Sequence, residues 1–300
     1  MEKKNGKGLI ILVAIICCVI CLVGGYSLGK GIFTNKEETN NNEANKNSDN
    51  KVNTEEEVEL TDVYIKKDIS KKASILLSVG FTDEDKDIIT IGYGADQFLN
   101  YSDKYKMAIV LHYNYYNTSN FRKMYYSDVN ELDEKLKQSL LEYGNGNIDE
   151  FLREDYGIRI AEADKIRNSY EDIFGEKTPT ITDEVAIVCP WFNYDSKSDT
   201  YISNSNCGDA PNTNYIYYKH KYTTKLDNAY VYVNVASMDR DDNVYKGLEQ
   251  NTNNYLYKIK STFSLEQEVK TNYEKYAKYR LVFEKDSNGI YHYKSTEKLD

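Results

Sequence analysis

The chain has 300 residues and a formal net charge of −10, a length that allows one sizeable hydrophobic core but not many domains. Residues 1–57 hold seven Lys and eight Asp or Glu, so residues 58–300 carry about −9 of the total charge. Because a surface with this excess repels phosphate groups, the composition argues against nucleic-acid binding and against a peripheral role on anionic lipids for residues 58–300.

The first predicted element is a transmembrane helix over residues 8–29. No charged residue occurs between Gly8 and Gly29, and about 22 residues at ~1.5 Å per residue span the ~30 Å hydrocarbon core of a bilayer. Residues 1–7 contain three lysines, a bias that favours an N-terminus inside the cell. The pattern predicts a cytoplasmic tail at residues 1–7, a single-pass anchor in the plasma membrane, and an extracytoplasmic location for the rest of the chain.

Two cleaved signals are alternatives to this anchor, a secretory signal peptide and a lipoprotein signal. Both require small residues just before the cleavage site. The cysteines of this segment follow isoleucine or another cysteine rather than Gly, Ala or Ser, which argues against a lipoprotein. Cleavage near Gly24 and Gly25 stays the main alternative to an uncleaved anchor.

Residues 30–57 are predicted to form a disordered linker. From residue 34 onward nearly every residue is Asn, Glu, Lys, Asp, Thr or Ser, and too few apolar side chains are present to offset the entropy of ordering. A flexible chain of about 24 residues has a typical end-to-end distance of about 27 Å. A folded domain at residues 58–300 would therefore lie just beyond the bilayer.

Residues 58–175 are predicted to be rich in helices, because their apolar side chains recur three or four positions apart. Ser102 is the expected N-cap of one helix, and Gly144 and Gly175 are expected to end two others. The predicted helices cover residues 62–78, 102–116, 127–143 and 161–174.

Residues 179–300 show the period of two that is typical of strands. Valine recurs at every second position from 231 to 235, which predicts a half-buried strand. Asp286 to Gly289 separates two apolar runs and predicts the turn of a hairpin. The predicted strands cover residues 185–189, 199–203, 214–224, 229–235, 255–263, 279–285 and 290–296. Ser264 and Gln267 resemble a capping box, which predicts a short helix before the last hairpin.

Helices followed by strands indicate an α+β fold in which helices pack on one face of an antiparallel sheet. Three stretches, the Y-x-x-I-F-G run at Tyr170 to Gly175, the segment from Cys189 to Gly208, and the ending from Tyr279 to Tyr293, resemble uncharacterised membrane-anchored extracytoplasmic proteins of AT-rich Gram-positive bacteria. The resemblance covers roughly residues 160–300. It implies an exported envelope protein and brings no known catalytic residues.

Cys189 and Cys207 are the two cysteines outside the predicted membrane segment, and we expect them to form a disulfide. Outside the cell such a bond persists, and closing a loop of this length contributes about 3 kcal/mol by constraining the unfolded chain. The alternative makes Cys207 a nucleophile with His220 or His292 as its base. No family signature surrounds Cys207 and a disulfide would remove the nucleophile, so no catalytic residue is predicted.

Aromatic side chains form the candidate ligand-binding site. Exposed tyrosines can stack on sugar rings or peptides, since each pairs a flat apolar body with a polar tip. Packing under the helices is the favoured interpretation, because an antiparallel strand with one covered face needs large apolar residues there. In the strand at 214–224, Tyr215 and Tyr217 are expected on one face, and Tyr218 and Tyr222 on the other. The candidate residues are Trp191, Tyr215, Tyr217, Tyr218 and Tyr222.

No metal or cofactor site is predicted. The three histidines lack the spacing of metal ligands. The acidic residues at 83–87 and 239–243 alternate as calcium ligands do, but both segments lack the glycine and glutamate that an EF-hand loop requires. A weak calcium site at Asp239 to Asn243 stays open.

The sequence favours a non-enzymatic binding or interaction domain, anchored in the membrane and facing the cell envelope. Its expected partner is a cell-wall component, a peptide or another membrane protein, and not a nucleic acid. The seven-residue tail is too short to hold a signalling domain inside the cell. An envelope-acting hydrolase and a structural assembly partner are the two alternatives.

Overall fold

A computed structural model describes residues 56–80, 86–92, 101–143, 146–152, 158–185, 189–204, 213–239, 244–247, 255–258 and 265–299. Residues from Thr54 to Asp300 group into one compact unit. Among the residues that the structure describes, no helix combines the length and apolar character needed to cross a bilayer. The predicted transmembrane helix at 8–29, and the linker up to residue 55, lie outside the described residues and stay predictions.

Seven α-helices and twelve β-strands are present in the described residues. The helices are α1 (Val63–Leu77), α2 (Asp103–Asn117), α3 (Tyr126–Glu131), α4 (Glu134–Tyr143), α5 (Ile148–Phe151), α6 (Ala163–Phe174) and α7 (Leu265–Asn272). The strands are β1 (Val58–Glu59), β2 (Ile88–Gly92), β3 (Arg122–Lys123), β4 (Arg159–Glu162), β5 (Trp191–Asp195), β6 (Thr200–Asn204), β7 (Thr213–Lys225), β8 (Asn228–Asp239), β9 (Val244–Gly247), β10 (Tyr255–Lys258), β11 (Ala277–Lys285) and β12 (Tyr291–Leu299).

The strands form two antiparallel sheets. The larger sheet has the order β1-β7-β8-β11-β12, with β2 also paired to β7, and with β9 paired to both β8 and β10. The smaller sheet has the order β3-β4-β6-β5. The prediction of an α+β fold with antiparallel pairing is confirmed. The prediction of a single sheet is wrong, because β3, β4, β5 and β6 form a second sheet. The helix-rich half of the chain contributes strands to both sheets.

The main core lies between the larger sheet and helices α1, α2 and α6. Alternate side chains of β8 point into it, and Val231, Val233 and Val235 are all fully buried. Helix α2 is buried on several sides, because five consecutive residues from Met107 to Leu111 are 0% exposed. A hydrophobic run of this kind is expected for a helix in the middle of a core.

The second face of the larger sheet is also covered in part, so the expectation of helices on one face only is wrong. Ile216 and Ala236 face away from the main core and pack with Val269 of α7 and with Tyr276. Small and branched apolar side chains on this face need cover from water. Strand β8 is therefore buried more deeply than the half-buried strand predicted from its alternation.

Local signals place three of the predicted helices correctly. Helix α1 begins after Asp62, whose carboxylate accepts hydrogen bonds from the N–H groups of Tyr64 and Ile65. Ser102 caps α2 by accepting from the N–H of Tyr105 at 3.3 Å. Helix α6 ends at Gly175 in the left-handed conformation with φ of 65°, as a C-terminal glycine predicts.

The helix predicted from residue 127 to 143 is two helices, α3 and α4, so this prediction is wrong. The chain leaves the helical conformation at Leu132, whose ψ is 163°. Side chains from the β5–β6 hairpin bond the backbone freed by the break: Lys197 donates to the carbonyl of Leu132 at 2.9 Å, and Asp195 accepts from the N–H of Asp133 at 2.9 Å. Apolar spacing across the break is continuous, so it could not reveal this contact.

The predicted strands at 199–203, 214–224 and 229–235 and the hairpin around residue 288 are confirmed. The strand predicted at 185–189 is not seen in the described residues. Val185 instead forms an isolated bridge with Phe192, and the strand of this region is β5. Strand β10 covers the start of the strand predicted at 255–263, and residues after 258 in that range lie outside the described residues.

Candidate functional site

A cleft of about 740 Å³ opens between helix α1 and the edge of strand β7. Four lysines line it together with three carboxylates and two of the candidate tyrosines. These residues are Lys66, Lys67, Lys219, Lys221, Glu57, Glu59, Asp87, Tyr218 and Tyr222. We refer to this feature as the α1–β7 cleft.

The cleft exists because two strands share one edge of β7 and leave a gap between them. Strand β1 pairs with Thr223 and Thr224, whereas β2 begins its pairing at Tyr218. The ends of the gap are closed by backbone hydrogen bonds, from the Leu60 N–H to the Tyr222 carbonyl at 3.0 Å and from the Lys219 N–H to the Asp87 carbonyl at 2.9 Å. The stretch of the β7 edge that lies between these two hydrogen bonds is therefore the backbone around His220 and Lys221.

A β-bulge at this gap changes which face of the sheet each side chain occupies. Lys219 pairs with Val233 and Lys221 pairs with Tyr232, so His220 is an extra residue on β7. Beyond the bulge the alternation is inverted, and Tyr222 lies on the α1 side with Tyr217. The prediction that Tyr218 and Tyr222 share a face is wrong for this reason.

The wall of the cleft holds a buried lysine surrounded by hydroxyl groups. Lys219 is only 1% exposed, and its Nζ contacts the Oγ atoms of Ser70 at 2.9 Å and Ser74 at 2.5 Å. It also donates to the main-chain carbonyl of Ser70 at 3.2 Å. Ser70 and Ser74 lie four residues apart and share one face of α1, so both hydroxyls reach the same amine.

Tyr222 completes this hydroxyl cluster. Its hydroxyl lies 3.0 Å from the Ser70 Oγ, and burial raises the pKa of Tyr222 to about 12, which keeps the phenol protonated at neutral pH. The Lys66 ammonium lies 4.9 Å from the centroid of the Tyr222 ring, within the range of a cation–π contact. Positive charge and hydrogen-bond donors are thus concentrated on the α1 side of the cleft.

The carboxylates of the cleft differ in how firmly they are held. Glu57 contacts the hydroxyls of Thr223 and Tyr232 at 2.5 Å and the Arg280 guanidinium at 3.6 Å. Burial alone would raise the pKa of Glu57, but these hydrogen bonds and Arg280 together lower it below its ordinary value. Glu59 and Asp87 are exposed at the rim, where a bound cationic group can reach them.

Tyr218 and His220 form the opposite side of the cleft with an aromatic contact. The ring of Tyr273 lies 5.2 Å from Tyr218 and 4.9 Å from His220. Burial lowers the pKa of His220, although a hydrogen bond with Asn234 acts in the other direction. Burial, followed by the nearby Asp87 carboxylate, raises the pKa of Tyr218. Both rings are neutral at neutral pH and offer flat surfaces to a ligand.

The structure brings two of the five aromatic candidates to the cleft, Tyr218 and Tyr222. Tyr217 is 1% exposed and belongs to the main core, and the half-buried Tyr215 packs against it, as expected for tyrosines that pack under the helices. Trp191 starts β5 of the smaller sheet and does not line the cleft.

The predicted bond between Cys189 and Cys207 stays a prediction, because Cys207 lies outside the described residues. The Cys189 carbonyl accepts a hydrogen bond from the Tyr116 hydroxyl at 3.1 Å. His292 lies in the last hairpin, where its Nδ1 is 2.9 Å from the Asp172 carbonyl.

No metal site is found within the described ranges, where no three His, Cys, Asp or Glu side chains lie close enough together to hold a metal ion. Residues 83–85 and 240–243, which carry most of the acidic positions considered for calcium, are not described.

Sequence reasoning missed Ser70, Ser74 and Lys219. One signal was available: Tyr215, Tyr217 and Lys219 occupy every second position of the predicted strand, so all three are expected on the same, covered face. A charged residue at such a position is buried only with partners. Comparison of the chain with known families, curated proteins and solved structures finds no match.

Proposed function

We propose that residues 58–300 form a membrane-tethered, extracytoplasmic binding domain whose α1–β7 cleft takes a peptide with a free carboxylate. The observation that carries the proposal is the separation of charge in the cleft: Lys66 and Lys67 line its α1 side, and the carboxylates of Glu59 and Asp87 lie exposed at the rim. Charges of both signs in one cleft orient a ligand that carries a carboxylate and an amino group.

The rest of the cleft suits a peptide better than a simple anion. Glu59 and Asp87 at the rim can pair with an amino group, while Lys66 and Lys67 can pair with a carboxylate. The rings of Tyr218 and His220 supply the flat apolar surface that ligand sites combine with a few polar groups. A peptide carries all three kinds of group within one small molecule, and stem peptides of the cell wall are one source of it.

The tethered location is supported by the uncharged segment at 8–29 and the three lysines that precede it. A tag placed after residue 300 should be digested when protease is added to intact cells stripped of their wall. A cytosolic protein in the same cells should stay whole. Digestion of the tag only after the cells are lysed would contradict the proposed location.

Binding through the cleft can be measured with a charge reversal that leaves the core alone. Lys67 is exposed on α1, and we expect Lys67→Glu to weaken binding of tetra-alanine at least about fivefold, the equivalent of about 1 kcal/mol for an exposed charge pair. Titration calorimetry on the full chain in detergent gives the dissociation constants. The amide of the same peptide should bind more weakly than the free acid.

Lys104→Glu is the matched control, since Lys104 is also exposed but lies on α2 outside the cleft. It changes the net charge by the same amount and should leave the dissociation constant unchanged. Equal weakening by both substitutions, or equal affinity for acid and amide, would show that the peptide does not bind through the lysines of the cleft.

A further inference from the structure

We propose that Ser70 is a nucleophile for acyl transfer in the α1–β7 cleft, with Lys219 as its general base. This inference rests on the proposed function, since it assumes that the cleft takes a peptide, and it adds that an amide or ester of that ligand is cleaved. Nucleophilic serines are recognised by a base within hydrogen-bond reach and a third group that orients the base. The distances from Lys219 Nζ to Ser70 Oγ and Ser74 Oγ, 2.9 and 2.5 Å, fit this arrangement.

The Lys219 Nζ lies within hydrogen-bond distance of the Ser70 carbonyl, the Ser70 Oγ and the Ser74 Oγ. In the structure Nζ donates to the Ser70 Oγ at 2.9 Å; once the amine has lost a proton, its lone pair can accept the Ser70 Oγ–H across the same distance. Removing an amine from water disfavours its charged form, and Lys219 is 1% exposed. A lysine in this state can take the proton of a serine, as in the Ser–Lys variants of serine catalysis.

Ser70 and Ser74 both contact the amine, but only Ser70 is open to a ligand. Ser70 is partly exposed and lines the cleft, whereas Ser74 is 0% exposed. Ser70 Oγ also lies 3.0 Å from the Tyr222 hydroxyl, a donor that can hold the serine oxygen in place. Ser74 therefore acts as a positioning residue for Lys219, and Ser70 alone can attack.

The reaction balances with water as the only other reactant. The Ser70 Oγ forms a bond to the carbonyl carbon while its proton passes to the Lys219 Nζ. The bond from that carbon to the amine or alcohol breaks, and Lys219 returns the proton to the leaving group. Water then attacks the acyl-serine through the same base, which releases a carboxylic acid and restores Ser70. Lys66, four residues before Ser70 on α1, lines the same cleft and can stabilise the developing oxyanion.

Covalent labelling separates a reactive serine from hydroxyls that only satisfy a buried amine. The full chain in detergent is treated with an alkyl fluorophosphonate, and the adduct is located by mass spectrometry of the tryptic peptides. We expect the adduct on Ser70, and none on Ser74. Ser70→Ala should abolish the label, and Lys219→Met should slow labelling by about a hundredfold or more, the usual contribution of a general base.

Tyr222→Phe provides a second variant in case Lys219→Met does not fold, because it removes one hydroxyl and keeps the ring. It should retain the label on Ser70 at a rate about tenfold lower. No adduct on Ser70 in folded protein, or labelling of Lys219→Met at the normal rate, would overturn the inference. Calorimetry of tetra-alanine with Ser70→Ala keeps the two proposals apart. If Ser70→Ala binds the peptide but Ser70 of the unmodified chain is not labelled, the catalytic role alone is wrong. If Ser70 is labelled but the peptide does not bind, the peptide ligand is wrong.

Discussion

Replacing Gly80 with alanine is expected to lower the free energy of unfolding by more than about 3 kcal/mol, because overpacking and a disallowed backbone conformation act together. Gly80 has φ of +84°, and a Cβ there would lie 2.3 Å from the Tyr113 nitrogen and 2.8 Å from the His112 carbonyl carbon. Both atoms belong to the backbone of α2, so a rotamer change cannot relieve the clash. Urea unfolding of residues 54–300, followed by circular dichroism, measures the loss.

Gly146→Ala is the control for the backbone conformation alone. Gly146 has a similar φ of +80°, but a Cβ there would meet nothing within 4 Å. This substitution should cost about 1 kcal/mol, the ordinary penalty for alanine in the left-handed region. If the two variants lose the same free energy, the close approach of the turn after α1 to α2 does not constrain the fold.

The elements predicted correctly from the sequence are those whose signals are local. Asp62 and Ser102 begin helices with their own side chains, and Gly175 ends one with its own backbone. In the last hairpin, Asp286 accepts from the N–H groups of Asn288 and Ile290 within the turn itself. Each of these signals acts over four residues or fewer, so no knowledge of the tertiary structure is needed.

Strands β3 and β4 of the smaller sheet were missed because they carry almost no signal of their own. Strand β3 has two residues and β4 has four, too short for an alternation to stand out. Strand β4 forms because it pairs with β6, which lies about 40 positions later in the chain, as the pairing of Ile160 with Ile202 shows. Pairing between distant segments cannot be inferred from the pattern of either one.

The cleft could be predicted only in part for a related reason. The strand at 214–224 was expected, but one extra residue at His220 inverts the alternation for every residue after it. Tyr222 therefore reaches Ser70 on the α1 side of the sheet, and Lys219 reaches the same serine from 149 positions away in sequence. A bulge leaves no mark in the hydrophobic pattern of this strand, because tyrosines occupy both faces.

Replacing Asp195 with alanine is expected to cost about 3 kcal/mol, since the hydrogen bonds to a buried carboxylate are lost. Asp195 is 0% exposed. Its Oδ1 accepts from the Asp133 N–H at 2.9 Å, and its Oδ2 accepts from the Ser198 N–H at 2.8 Å and from the Ser198 hydroxyl. The carboxylate thus joins the start of α4 to the β5–β6 hairpin, and without it both ends of the contact lose a partner.

Asp227→Ala is the matched control, because Asp227 is 75% exposed and pairs with Lys285 at 3.2 Å on the surface. An exposed pair contributes less than about 1 kcal/mol, so the two aspartates should differ by about 2 kcal/mol in urea unfolding. Hydrogen exchange at the Asp133 amide should accelerate in Asp195→Ala and stay unchanged in the control. Similar losses in the two variants would mean that the break between α3 and α4 forms without Asp195 and has another cause.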